Sequence, residues 1–204
     1  MTEFTQSSED VDSKLSGLRL LHLADSALPI GALAHSFGLE TLIAYELLDV
    51  ATLPEFLRGF LEESGFLEAA FCRAGWRLSH GGDKFAGDWL QLNEKLSARK
   101  TARESRSASA SLGRTFLAAL ALLEESDPFH EALQVSKESG GLIHHSIAFG
   151  LVGGVLKIAE DSTVLAYLHQ SIASLVSACQ RLLPLGQNAA TKILWQLKPA
   201  MIET

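Results

Sequence analysis

Apolar residues recur at three- and four-residue intervals along nearly the whole chain, and that period leaves little freedom of fold. In Val164–Leu183 the apolar positions are Leu165, Leu168, Ile172, Leu175, Val176, Cys179, Leu182 and Leu183. They share one side of an α-helix and form no coherent face on a strand. Gln170, Ser171, Ser174 and Gln180 are expected to face outward. Asp161 or Ser162 suits the N-cap, and Pro184 stops the helix. The alternating β-branched runs that mark a sheet are missing. The same reading predicts helices near Leu18–Leu28, Leu33–Leu47, Leu53–Ser79, Lys84–Ser97, Thr101–Glu125, Phe129–Ser139, Leu142–Glu160 and Gln187–Met201. Pro29–Gly31, Asp49–Thr52 before Pro54, Gly81-Gly82, Asp127-Pro128, Gly140-Gly141 and Pro184–Gly186 punctuate them. The expected fold is an all-α, single-domain bundle of about eight to ten helices over residues 17–204.

The opening MTEFTQSSEDVDSKLSG is polar, acidic and without helical apolar spacing, so residues 1–16 are expected to form a disordered N-terminal arm. The rest of this 204-residue chain, 47% apolar overall, has enough greasy surface for a sizeable core. No basic and apolar leader is visible. The apolar runs at Phe116–Leu123 and Ile147–Ile158 are too short or too interrupted to span a bilayer, which takes about 20 residues. A soluble cytoplasmic protein with no membrane contact is expected. Cys72 and Cys179 stand far apart and read as core thiols.

A net charge of −7 argues against general nucleic-acid binding. Its distribution is uneven. Lys84 to Arg114 holds seven Lys or Arg against Asp88, Glu94 and Glu104, leaving +4 there and −11 elsewhere. Lys95, Arg99, Arg103 and Arg106 fall at i, i+4, i+8 and i+11, one helical face if Thr101 does not break the helix. Such a stripe is either solvated or a docking face for an acidic or nucleotide-bearing partner.

Catalytic and metal motifs are sparse. Ala34-His35-Ser36-Phe37-Gly38 lies one substitution from a GxSxG elbow, with Asp25 and His35 nearby, so a small helical serine hydrolase is one alternative. That elbow works on a strand-to-helix turn, and no strand precedes it here. Ser97-Ala-Arg-Lys100 matches SxxK without its companion motifs, and no phosphate-binding glycine loop is present. His144 and His145 are neighbours pointing in different directions, and His80 and Asp83 are separated by two glycines, so no dedicated metal site is expected. Gly150, Gly153 and Gly154 within one helix call for close backbone approach by a neighbour, in this chain or in a partner.

Four segments in order carry a likeness: LADSALPIGALAHSFGLE (Leu23–Glu40), ESRSASASLGR (Glu104–Arg114), HHSIAFG (His144–Gly150) and QRLLPLGQ (Gln180–Gln187). The sequence resembles the UreF-type urease accessory proteins from about Leu18 to Ile202. It departs from their pattern at Ala32, at Gln180 and at Thr191-Lys192. The resemblance implies an all-α, non-enzymatic scaffold that forms a homodimer. It also implies binding to UreD (also called UreH) and to the GTPase UreG, help in nickel insertion into apo-urease, and an influence on the GTPase. Nickel then belongs to the pathway, and no cofactor of the chain's own is implied. Matched onto this sequence, the partner-binding residues are Pro29, Gly31, His35, Ser36, Gly38, Glu40, Glu104, Arg106, Arg114, Arg181 and Gln187. From the residues alone, Pro29–Glu40 reads either as an exposed corner with polar handles or as a plain helix–helix turn. Glu104, Arg106 and Arg114 read either as a GTPase contact or as intrahelical ion pairs. Gln187 reads as a helix cap or as part of the UreD contact. A UreF-fold regulator unconnected with urease is the third possibility.

Overall fold

The structure, a computed structural model, describes residues 2–25, Leu28 and residues 38–204, the first eight of these by backbone only. Among the described residues there are helices and turns and no strand. The helices are α1 (Thr2–Leu23), α2 (Leu39–Ala44), α3 (Leu53–Phe60), α4 (Phe66–Leu78), α5 (Phe85–Arg99), α6 (Arg103–Leu123), α7 (Asp127–Ser139), α8 (His145–Val155), α9 (Glu160–Leu182), α10 (Gln187–Gln196) and α11 (Lys198–Glu203). A π-helical turn, Leu61–Gly65, joins α3 to α4 without a break, so Leu53–Leu78 is one rod. Asp49 and Thr52 launch it reciprocally: the Thr52 amide donates to Asp49 Oδ1 (2.8 Å) and the Asp49 amide to Thr52 Oγ1 (3.0 Å).

The middle of the molecule is α8, buried from His145 to Gly154. A helix apolar all round has to be enclosed on every side, and here α4, α6 and α9 enclose it at glycines. A Cβ on Gly75 of α4 would stand 2.3 Å from the Ile147 carbonyl oxygen, and one on Gly150 only 1.9 Å from that of Cys72. A Cβ on Gly113 of α6 would meet the Ile143 carbonyl oxygen at 2.1 Å, and one on Gly153 the Thr163 side chain of α9 at 2.3 Å. The neighbour that the glycines of α8 called for is thus in the same chain. Cys72 and Cys179 are buried free thiols in this core, as their spacing implied.

Polar ties fix the remaining elements. Arg73 and Arg77 of α4 reach Glu160 and Asp161 in the first turn of α9, and Trp76 Nε1 donates to the Ile158 carbonyl (2.8 Å). This clasp moves the start of α9 to Glu160, with Ala159 at the N-cap instead of Asp161 or Ser162. Trp89 Nε1 donates to Ser136 Oγ (2.9 Å), joining α5 to α7.

α1 runs back to Thr2, and from Asp10 to Leu15 its side chains are exposed. Two further expectations are revised. Gln187–Met201 is two helices, because Pro199 has no N–H to continue the ladder across Leu197. Gln170 and Ser174, expected to face solvent, are buried.

Candidate functional site

Pro29, Gly31, His35 and Ser36 lie outside the described residues, and so does the hydrolase arrangement that would join His35 and Ser36 to Asp25. Before them, α1 ends at Leu23, five residues short of the expected Leu28. After them, Gly38 precedes α2 at φ 84°, a left-handed conformation that a side chain would strain. Glu40 is exposed in the first turn of α2.

Glu104 and Arg114 are exposed on α6, and the ion pairs among the described residues involve neither. The intrahelical set is not formed. Arg106 instead donates to the Lys100 carbonyl oxygen (2.5 Å) and pins the linker between α5 and α6. That linker divides the expected basic stripe: α5 ends at Arg99, α6 begins at Arg103, and Lys100 turns inward to Glu68. Arg181 is exposed and donates to the Ser177 carbonyl (3.2 Å). Gln187 is no cap, since its side chain accepts from Gln180 Nε2 (2.9 Å) across the Pro184–Gly186 turn and Gly186 occupies the cap position.

The inward turn of Gln170 and Ser174 has a counterpart that the sequence reading missed. A cavity of about 90 Å³ lies between the π turn, α4, α6, α8 and α9. At its floor the Glu68 carboxylate accepts from Lys100 Nζ and, through its other oxygen, from the Tyr167 hydroxyl (3.3 Å). The ion pair is almost wholly enclosed, each side chain being 11% exposed. His145 meets the Phe116 ring edge-on at 5.3 Å and the Tyr167 ring at 5.4 Å, and its Nε2 has no hydrogen-bond partner. Gln170 donates through Nε2 to the Leu23 carbonyl (3.3 Å), while its Oε1 has none.

The neighbouring imidazole is fully used. His144 places Nε2 2.7 Å from Ser97 Oγ and Nδ1 3.1 Å from Ser109 Oγ, and its amide donates to Asn93 Oδ1 (2.8 Å). It therefore ties α5 and α6 to the start of α8. Burial holds both histidines down at about 4, with the Lys100 charge adding to the effect and Glu68 opposing it. Burial, with Glu68 beside it, pushes the Tyr167 phenol well above its ordinary value. Both imidazoles and the Tyr167 phenol are therefore uncharged at neutral pH. Burial raises the Cys72 thiol too, which disqualifies it as a nucleophile. Among the described residues no three His, Cys, Asp or Glu side chains converge as a metal site requires. One sequence signal could have revealed the cavity: a lone glutamate, Glu68, set among Leu67, Ala69, Ala70 and Phe71 on a core helix.

The surface has its own marked chemistry. Val11, Leu15, Leu18 and Leu21 are exposed at three- and four-residue spacing on α1, and Leu122 and Leu123 are exposed where α6 ends. An Arg19–Glu124 ion pair (2.8 Å) ties these two elements together. Trp195 and Ile202 are bare on α10 and α11, with Lys198 Nζ 3.8 Å over the Trp195 ring. No helix among the described residues is long and apolar enough to cross a membrane.

Comparison with known proteins places this all-helical chain among the urease accessory proteins. It is 33% identical over 184 residues to urease accessory protein UreF of Nostoc sp., an alignment covering 89% of this chain and 77% of the relative. The UreF of Geobacillus kaustophilus is 31% identical over 188 residues, 91% of this chain and 80% of its own length. That of Rhodopseudomonas palustris is 29% identical over 206 residues, all of this chain and 85% of its own. The UreF family model matches residues 47–198. The chain belongs to the UreF family.

Proposed function

We propose that this protein serves urease maturation as a non-enzymatic cytoplasmic scaffold. It forms a homodimer, binds UreD/UreH and the GTPase UreG, modulates that GTPase, and assists nickel insertion into apo-urease without a metal of its own. The observation that carries the reading is the exposed apolar face of α1 with the bare leucines at the end of α6. Side chains of this kind, standing outside a core already filled by α4, α6, α8 and α9, are what a docking face supplies. Family membership supports the identity of the partners. Gly38, Glu40, Glu104, Arg114, Arg181 and Gln187 are exposed and offer the polar rim of such contacts, with Pro29, Gly31, His35 and Ser36 assigned to the same role from the sequence. Arg106 acts there by holding the α5–α6 linker in place.

The test is co-purification with UreD and UreG of the same host, followed by urease activation with and without this chain. A Leu18→Asp/Leu21→Asp variant is expected to weaken partner capture by about tenfold or more while its melting temperature stays at the wild-type value. Undiminished capture and activation by that folded variant would refute α1 as the docking face. Urease activation that does not depend on the chain would refute the scaffold itself.

A further inference from the structure

The enclosed Glu68–Lys100 pair is poorly explained by stability alone. Taking two charges out of water costs about as much as their attraction returns, and apolar replacements of such pairs are often neutral or stabilising. What this pair does achieve is geometric. Lys100-Thr101-Ala102 joins α5 to α6, and from the extended backbone of Lys100 the side chain runs inward to Glu68 of α4. We propose that Glu68 and Lys100 are positioning residues: they latch the α5–α6 corner in the arrangement in which its unpaired cations meet an acidic face of the GTPase, an assignment that rests on the scaffold reading.

The latch is held from several sides. The Tyr167 hydroxyl of α9 donates to the second carboxylate oxygen of Glu68 (3.3 Å) and steadies it. His144 spans Ser97 in the last turn of α5 and Ser109 in α6, seating both helices on the start of α8. Burial keeps that imidazole uncharged, so Lys100 is the cation that Glu68 meets. Arg106 donates to the carbonyls of Lys100 (2.5 Å) and Thr101 (3.5 Å), which fixes the shape of the linker, while Lys100 ties the linker to α4.

The corner held in this way is basic. Lys95, Arg99 and Arg103 are exposed on its two sides, and none of them enters an ion pair among the described residues. Arg99 stands over the Phe71 ring of α4 at 5.7 Å, so it too is placed by the packing of α4. The segment carries excess positive charge in an otherwise acidic chain. Unpaired guanidinium forks suit carboxylates, and holding them in advance lowers the cost of binding. The occupant that this charge selects is a carboxylate-bearing protein surface.

The experiment removes both buried charges together, in a Glu68→Gln/Lys100→Met chain. It is expected to melt close to the wild-type temperature, because no charge is left stranded. The backbone amides of Lys100 and Arg106, bonded to the Leu96 and Ala102 carbonyls, are expected to exchange hydrogen about tenfold faster by NMR, and capture of the GTPase to weaken about tenfold. Should that chain fold poorly, Tyr167→Phe removes only the hydroxyl that steadies Glu68 and is expected to raise the same exchange rates about threefold. Unchanged exchange in the folded variant overturns the latch. Faster exchange with undiminished capture overturns its positioning role. Arg103→Glu places a carboxylate where the N-terminus of α6 favours one, so melting is expected to hold while capture falls about tenfold; undiminished capture overturns the acidic face. If the wild-type chain captures no GTPase, the scaffold reading fails instead, and the exchange rates still decide the latch.

Discussion

The α4–α8 contact makes a sharp prediction through Gly150. A methyl group there would sit 1.9 Å from the Cys72 carbonyl oxygen and 2.8 Å from the Trp76 amide nitrogen, where ordinary van der Waals contact begins at 3.4 Å. To admit it, the helices have to separate locally by about 1.5 Å, and neither obstacle can swing aside because both are backbone atoms of α4. Gly75 and Gly154 hold the same interface close, so the separation cannot stay local. Overpacking costs about 1–3 kcal/mol and sometimes more, against which alanine returns about 1 kcal/mol of helix propensity. With two rigid backbone obstacles, Gly150→Ala is expected at the upper end, a net loss of about 2 kcal/mol. For a chain of this length that is a fall in melting temperature of about 4–8 °C. Gly87→Ala on α5 is the control, since nothing lies within 4 Å of its added methyl group. It is expected to gain about 0.5–1 kcal/mol. Urea unfolding followed by far-ultraviolet circular dichroism measures both. A Gly150→Ala protein as stable as wild type would show that the glycine contact does not set the helix spacing.

Two other outcomes follow from the buried polar groups. His144 and His145 titrate at about 4 when folded and near 6.5 when unfolded, so between these values the unfolded chain binds more protons and stability rises with pH. Full stability is expected above pH 6.5, with about 3 kcal/mol per histidine lost as pH falls to 4; a urea midpoint flat over that range would refute it. Glu68→Gln strands the Lys100 charge in an enclosed site and is expected to cost about 3–5 kcal/mol, whereas Glu68→Gln with Lys100→Met recovers most of it, and a single-variant loss below about 1 kcal/mol would refute the buried pair.

The helices were legible because each buries a stripe at a fixed period, and the Leu53–Leu78 rod and α5 to α7 fall within about two residues of where that period put them, while α8 stops at Val155, five residues before the expected Glu160. Their ends were less legible. The start of α9 depends on Arg73 and Arg77, some ninety residues away, and a local capping rule has no access to them. The inward turn of Gln170 and Ser174 escaped for a related reason. A polar residue beside an apolar stripe reads as surface unless a remote partner or cavity claims it, and Gln170 is claimed by Leu23 on α1. His145 illustrates the same limit. Its pairing with His144 suggested neither that one imidazole would be satisfied by Ser97 and Ser109 nor that the other would keep its Nε2 unpaired beside Tyr167.

The glycine contacts and the polar pocket are mechanically one system. Glu68 belongs to α4 and His145 to α8, so two sides of the pocket are held at a spacing that Gly75, Gly150 and Gly154 set further along the same helices. The backbones already touch there, so α8 cannot slide toward α4 to close the cavity. Leaning the other way, it meets Thr163 of α9 at Gly153. The cavity is therefore a consequence of how tightly the rest of α8 is gripped, and a substitution that loosens the grip has to disturb the floor as well. That coupling separates local from transmitted damage: in Gly150→Ala the NMR signals of His145 and Gln170 are expected to move along with the stability, whereas in Gly87→Ala they are expected to stay in place.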